Sequence, residues 1–132
     1  MIIDHVCFAV ADFEKSKAFY QQALAPLGIS ILMEETAETT GTSAFAGFGT
    51  PDSGPKFWLG DRPKPVRHQW HVAFAAPDRA SVDAFYHAAI AAGGIDNGAP
   101  GPRPHYHEHY YGAFILDPDG VNIEAVCHTP AP

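Results

Sequence analysis

The chain has 132 residues, which is enough for one domain to bury its own core without disulfides or a structural metal. Its hydrophobic fraction of 46% and charged fraction of 17% are typical of a globular protein and exclude a disordered one. The net charge is −7 with only eight Lys and Arg, so the sequence argues against a nucleic-acid partner.

The sequence shows no targeting signal, and this and its cysteine usage predict a cytoplasmic protein. No apolar run approaches the roughly 20 residues that span a bilayer, so we expect no membrane partner. The first residues lack the basic and apolar regions of a signal peptide. Cys7 and Cys127 have no metal-ligand spacing, and in a cytoplasmic protein they are expected to be free thiols.

The first half of the chain predicts a strand, a helix and three further strands. Apolar residues alternate over 2–10, with His5, Cys7 and Ala9 on one side of the strand. Residues 13–26 have apolar positions at helical spacing, with Asp12 as the N-cap and Gly28 just past the end. Short strands follow near 29–36, 43–48 and 55–60.

The second half predicts the same series after a Pro-rich linker at 61–68. A strand at 69–76 precedes a helix at 79–92, for which Asp78 is the N-cap and Gly93 the stop. Strands near 95–100, 109–117 and 121–128 complete it, and a turn at 117–120 joins the last two.

An internal repeat explains why the halves match. At an offset of 66 residues, nearly half of the positions between His5 and Ile29 are identical to those between His71 and Ile95. The same offset pairs Phe48 with Phe114, which predicts that the register holds to the end of each half. The modules are therefore expected at 1–60 and 69–128 of a single domain.

Each half is a βαβββ unit, so the predicted fold is α+β. One helix covers one face of each four-stranded sheet, and two units related by a pseudo-twofold can curl their sheets around a shared cleft. On this pattern the chain resembles the vicinal oxygen chelate superfamily (the glyoxalase, bleomycin-resistance and extradiol-dioxygenase group) over essentially its whole length. The resemblance implies that chemistry sits in the cleft, on a metal ion.

The family's ligand pattern falls on three residues of this sequence. His5 stands in the first strand, His71 is its repeat mate, and Glu124 lies on the last strand. The mate of Glu124 is Trp58, so the four-ligand pattern of glyoxalase I-like members is incomplete. Two imidazoles and a carboxylate still bind a divalent ion (Zn, Ni, Fe or Mn) with open positions. Each of these residues taken alone is more often structural than a ligand.

The segment 103–111 is rich in histidine and tyrosine and is expected to form a lip of the cleft. Arg103, Tyr110 and Trp58 are candidates for substrate binding, and Tyr106, His107 and Tyr111 for proton transfer. Tyr110 and Tyr111 cannot both face the cleft if they lie in a strand. The structural alternative is a polar-aromatic loop that only packs against the sheet.

The resemblance implies a metal-dependent, glyoxalase-like lyase or isomerase that chelates a small molecule through neighbouring oxygens. An extradiol-type dioxygenase uses the same two-His, one-Glu set, but usually in a much longer chain. A bleomycin-resistance-like binding protein typically lacks the metal residues. A thiol transferase acting on an antibiotic epoxide uses the same metal residues, but this sequence has no matching cluster of Lys and Arg to bind a phosphonate. Unpaired sheet edges and apolar faces predict a homodimer.

Overall fold

The structure, a computed structural model, describes residues 3–41, 43–61 and 70–132 and consists of two βαβββ modules in tandem. The first contains β1 (Val6–Val10), α1 (Phe13–Leu24), β2 (Ser30–Glu35), α2 (Ala37–Thr40), β3 (Phe45–Thr50) and β4 (Gly54–Asp61). The second contains β5 (His71–Ala75), α3 (Arg79–Ala91), β6 (Ile95–Pro102), β7 (Tyr111–Leu116) and β8 (Asn122–Cys127). The short helix α2 was not expected from the sequence. The predicted linker, apart from Asp61, lies outside the described residues.

Both sheets have the same strand order, which confirms the predicted α+β fold of repeated modules. The orders are β1-β4-β3-β2 and β5-β8-β7-β6. In each, the first strand pairs in parallel with the last, and the remaining pairs are antiparallel. His5 directly precedes β1 and His71 opens β5, so the two histidines occupy matching elements.

Capping residues set the limits of the two long helices as the sequence predicted. The Asp12 carboxylate accepts from the Lys15 amide at 3.1 Å, and Asp78 accepts from the Ser81 amide at 2.7 Å. Helix α1 is shorter than expected because Pro26 has no amide hydrogen to donate. The chain tightens there into a 3-10 turn that ends at Gly28, whose φ is 76°.

Each sheet has one face on the core and a second face without a helix, which we call the open face. In β1, Phe8 and Val10 are buried while Cys7 and Ala9 are exposed. In β5 only Phe74 is buried, and the alternate residues are exposed. The strand alternation inferred from the sequence is therefore present in both modules.

The helix-bearing faces of the two sheets turn toward each other and share one core. Phe57 of β4 meets Phe74 of β5 edge to face, with ring centroids 5.2 Å apart, and α1 packs against α3. At Gly94, after α3, a Cβ would come within 2.7 Å of the Ile115 side chain and 2.9 Å of the Phe19 ring. In the part of the chain that the structure describes, this packing places the two open faces on the outer sides of the shared core.

A buried hydrogen bond joins the modules at the edge of this core. The Tyr20 hydroxyl on α1 donates to Asp117 Oδ2 at 2.5 Å, in the turn between β7 and β8. Asp117 Oδ1 accepts from the amides of Val121 and Asp119 at 2.8 and 2.9 Å. Burial raises the pKa of Asp117 above its usual value, and these three hydrogen bonds act in the opposite direction.

The predicted equivalence of Phe48 and Phe114 is wrong. Phe48 is fully buried on the helix side beside Tyr20, whereas Phe114 lies on the open face under His71. A register shift follows Phe48 in the β3–β4 pair, and the β7–β8 pair has none. One extra residue reverses which side a strand presents, because side chains alternate with period two. Among the described residues no helix is both long and apolar enough to cross a membrane.

The inter-module bond makes Tyr20→Phe a test of this packing. Removing the hydroxyl leaves a buried carboxylate oxygen unpaired, so we expect a loss of about 1–3 kcal/mol in the free energy of unfolding at neutral pH. The substitution also removes a contribution that lowers the pKa of Asp117, so that pKa rises further in the folded variant. The difference in the free energy of unfolding between variant and wild type is therefore largest where Asp117 is ionised. It becomes smaller as pH falls through the folded-state pKa of Asp117.

Urea titrations of both proteins at several pH values measure this difference. Tyr86→Phe is the matched control, because the hydroxyl of Tyr86 lies beside the Asp96 carboxylate at a more exposed position of α3. The control should change the unfolding midpoint little. Equal midpoints for Tyr20→Phe and wild type at neutral pH would show that the bond does not hold the modules together.

Candidate functional site

Two of the three predicted metal ligands meet on the open face of the second sheet. His71 opens β5, and Glu124 lies on the adjacent strand β8, paired with Ala73. His71 Nε2 is 2.9 Å from Glu124 Oε1. Its neighbours Ile123 and Ala125 point into the core, so the Glu124 side chain points away from the helix. Glu124 is nevertheless only 2% exposed.

The hydrogen bonds of His71 determine which ring nitrogen is available. Its Nδ1 is 3.0 Å from the backbone carbonyl oxygen of Asn122. A carbonyl can only accept, so Nδ1 donates to it, and a neutral ring would have its lone pair at Nε2. Nε2 faces a carboxylate oxygen, and a proton or a cation between these two atoms would make their contact favourable. A metal-binding histidine commonly donates its second nitrogen to a carbonyl in this way.

Tyr110 contacts the second carboxylate oxygen of Glu124. Its hydroxyl donates to Glu124 Oε2. Gly112 makes room for this contact, since a Cβ there would lie 3.0 Å from Oε2 and 3.2 Å from a ring carbon of Tyr110. Burial, and next the bond to Glu124, raise the pKa of Tyr110 well above its usual value, so the hydroxyl keeps its proton at neutral pH.

Phe114 and Arg103 form the floor and one wall of this region. The Phe114 ring stacks on the His71 ring with centroids 6.0 Å apart, and the Arg103 guanidinium lies 5.6 Å from the Phe114 centroid. Arg103 donates to the backbone carbonyl oxygens of Ala99 and Gly101 at 2.9 and 2.8 Å. Arg103 is thereby fixed in place, with its charge near Tyr110.

The segment 103–110, which we call the rim loop, forms an aromatic and imidazole cluster around Tyr110. The ring centroids of Tyr106, His107 and His128 lie 5.0, 5.9 and 5.2 Å from that of Tyr110. His107 Nε2 and His128 Nδ1 are 2.8 Å apart. His128, one residue past β8, therefore belongs to the cluster.

Tyr111, expected from the sequence to take part in proton transfer, lies on the opposite face of the sheet from Glu124. Its hydroxyl donates to Asp83 on α3 at 2.7 Å, and Arg79 lies over its ring at 4.9 Å. Consecutive strand residues point to opposite faces. Because Tyr110 faces Glu124, Tyr111 must face the helix.

His5 and Trp58 lie on the open face of the first sheet. They line a pocket of about 270 Å³ together with Cys7, Ser43, Phe45, Gly60 and Asp61. The Trp58 indole lies flat across Gly47, where a Cβ would come within 2.8 Å of it. His5 Nδ1 lies 2.7 Å from the Asp4 carboxylate.

His5 does not join His71 and Glu124 within one chain. Across residues 3–41, 43–61 and 70–132, no group of three or more His, Cys, Asp or Glu side chains is placed to hold a metal ion. The single-chain version of the ligand set is therefore not realised.

Comparison with known proteins shows which family has this fold. The family model of the Glyoxalase/Bleomycin resistance protein/Dioxygenase superfamily matches residues 2–125. A solved glyoxalase/bleomycin resistance protein from Albidiferax ferrireducens T118 is 28% identical with a TM-score of 0.75, covering 98% of this chain and 100% of that one. No curated protein matches the chain.

Two more distant structures share the fold. A glyoxalase I mutant from Zea mays is 24% identical with a TM-score of 0.71, covering 94% of this chain and 46% of that one. A genomically encoded fosfomycin resistance protein from Listeria monocytogenes is 19% identical with a TM-score of 0.66, covering 98% and 94%. The repeated βαβββ modules and the family match over residues 2–125 lead to one conclusion: the chain belongs to the Glyoxalase/Bleomycin resistance protein/Dioxygenase superfamily.

Proposed function

We propose that this protein is a metal-dependent, glyoxalase-like enzyme, a lyase or isomerase that binds a small substrate through two neighbouring oxygens. The observation that carries the proposal is the contact between His71 Nε2 and Glu124 Oε1. An imidazole nitrogen and a carboxylate oxygen are both ligands of divalent ions, and these two atoms lie 2.9 Å apart; the ion could be Zn, Ni, Fe or Mn.

The donor set fits such an ion when His5 is added to His71 and Glu124. When bound, the ion would supply Lewis acidity that stabilises negative charge on the substrate oxygens. Trp58 stands at the position of a fourth ligand and cannot coordinate, so the set leaves room for both oxygens of a chelating substrate.

The side chains around Tyr110 would handle the rest of the substrate. Tyr106 and His107 are the candidates for moving a proton, since both border Tyr110 on the rim loop. Arg103 would attract an anionic group, because its charge sits over Phe114 beside His71. Its contacts to backbone carbonyls hold the guanidinium in place before substrate arrives.

We further propose that a homodimer completes the site. Both open faces turn outward, and each module has a histidine where its first strand begins: His5 directly before β1, and His71 as the first residue of β5. If the first-module face of one copy lay against the second-module face of another, His5 of the partner subunit would approach His71 and Glu124. The pocket around Trp58 would then border the same site and contribute a substrate wall.

A ligand-binding protein without catalysis is the second candidate. The pocket formed by Trp58, Phe45 and Cys7 favours it, because aromatic walls bind planar small molecules without any metal. An extradiol-type dioxygenase would use the same two histidines and glutamate as the lyase. Metal content separates the binding protein from the two enzyme classes, and oxygen consumption separates the dioxygenase from the lyase.

Glu124→Gln tests the metal site. The amide keeps the size of the side chain but removes the charge that neutralises the ion, so dialysed protein should lose most of its metal, measured by elemental analysis. Trp58→Phe is the control, because we assign that residue to the substrate wall, and it should retain wild-type metal content. Equal metal in wild type and in Glu124→Gln would rule out the proposed ligand set.

Mixed dimers test the shared site. Neither His5→Ala nor Glu124→Gln alone should hold metal, since every site in each homodimer lacks one ligand. In a purified heterodimer of the two variants, one of the two sites combines intact residues from both chains, so about half of the wild-type metal content should return. No recovery in the heterodimer, or a monomer at micromolar concentration in sedimentation, would contradict the arrangement.

A further inference from the structure

We propose that Tyr110 is a positioning residue: its hydroxyl holds Glu124 Oε2, so that Glu124 offers only Oε1, on the side of His71, to a bound ion. The inference rests on the proposed metal site. It assigns Tyr110 a task that differs from the substrate contact expected from the sequence.

The two carboxylate oxygens of Glu124 have different partners. Oε1 faces His71 Nε2, while Oε2 accepts from the Tyr110 hydroxyl. The Tyr110 hydroxyl donates its hydrogen to Oε2, and an oxygen that accepts a hydrogen bond has less electron density to offer a cation. The hydrogen bonding therefore divides the carboxylate into one oxygen for the ion and one for the protein.

The surroundings fix the Tyr110 ring on this side of Glu124. The rim loop turns back on itself, with the Arg103 amide donating to the Tyr110 carbonyl oxygen at 2.8 Å. Tyr106 and His128 pack edge to face against the ring, with centroids 5.0 and 5.2 Å from it. On the strand side, Gly112 has no side chain, and a Cβ there would lie 3.2 Å from a carbon of the Tyr110 ring.

Burial makes the loss of this bond costly. Glu124 is 2% exposed, so water cannot easily replace the Tyr110 hydroxyl at Oε2. A buried acceptor without a partner carries a desolvation penalty. In Tyr110→Phe the carboxylate must either keep Oε2 unsatisfied or turn so that both oxygens face the ion.

The consequence for binding is the number of positions left on the ion. A carboxylate bound through both oxygens occupies one position more than a carboxylate bound through one. The proposed substrate needs two neighbouring positions for its oxygens. Tyr110 thus keeps a position open for chelation while orienting the ligand.

The test compares Tyr110→Phe with Tyr111→Phe. Both remove one hydroxyl from neighbouring residues of the same chain segment, but Tyr111 bonds Asp83 on the opposite face of the sheet. Zn²⁺ affinity is measured by competition with a chromophoric chelator. Loss of an outer partner of a ligand typically weakens metal binding by about 10–100-fold, and we expect this for Tyr110→Phe alone.

A second measurement separates positioning from general structure. The visible absorption of the Co²⁺-substituted protein reports the number and arrangement of ligands, so it should change in Tyr110→Phe and match wild type in Tyr111→Phe. Gly112→Ala provides an independent variant, because its Cβ would press between the Tyr110 ring and Glu124 Oε2. It should reproduce the spectral change of Tyr110→Phe.

The outcomes distinguish this inference from the proposed function. Wild-type Zn²⁺ affinity and an unchanged Co²⁺ spectrum in Tyr110→Phe, with metal still lost in Glu124→Gln, would overturn the positioning role and leave the metal site intact. Wild-type protein that binds Zn²⁺ no better than Glu124→Gln would overturn both. Weaker binding and an altered spectrum confined to Tyr110→Phe and Gly112→Ala support the inference.

Discussion

The packing of the two helix-bearing sheet faces against each other determines where this protein can do chemistry. Phe57 and Phe74 meet across the module boundary, and α1 lies against α3. Buried apolar side chains of both modules thereby form one core. The two open faces lie on the outer sides of that core, and the candidate site residues lie on them.

The open faces differ although the modules repeat. The second face has a buried glutamate, a histidine beside it that also contacts a backbone carbonyl oxygen, and the rim loop, whose Tyr110 hydroxyl donates to the glutamate. The first has an indole at the position of that glutamate and a shallow pocket instead of a closed cluster. Duplication provided two equivalent scaffolds, and their chemical difference comes from a few positions, chiefly Trp58 against Glu124.

Close approach around Glu124 depends on small residues at two strand positions. Gly112 admits Tyr110, and Gly98 lies where a Cβ would come within 3.0 Å of the Phe114 ring. The φ of 147° at Gly98 lies in a region that side-chain-bearing residues rarely adopt. These glycines allow the Tyr110 and Phe114 rings to pack closely on the sheet, where they help to keep water away from the Glu124 carboxylate.

The sequence by itself determined the repeated modules, both helix caps and the alternation that puts His5, His71, Trp58 and Glu124 on the open faces. Those features depend on local periodicity and on capping chemistry between near neighbours, which a single chain displays directly. The opposite directions of Tyr110 and Tyr111 follow from the same period of two, although which one faced Glu124 did not.

Only the tertiary structure decided how the modules face each other and which side chains surround Glu124. The shift between Phe48 and Phe114 depends on one extra residue in the first β-hairpin. Aligning the two halves of the sequence does not reveal that residue, because the two phenylalanines still match. His128 joined the cluster because the rim loop folds back onto the last strand, a contact between distant parts of the chain. The outward direction of the open faces likewise comes from packing between modules, and sequence periodicity records which face of an element is apolar but not which surface covers it.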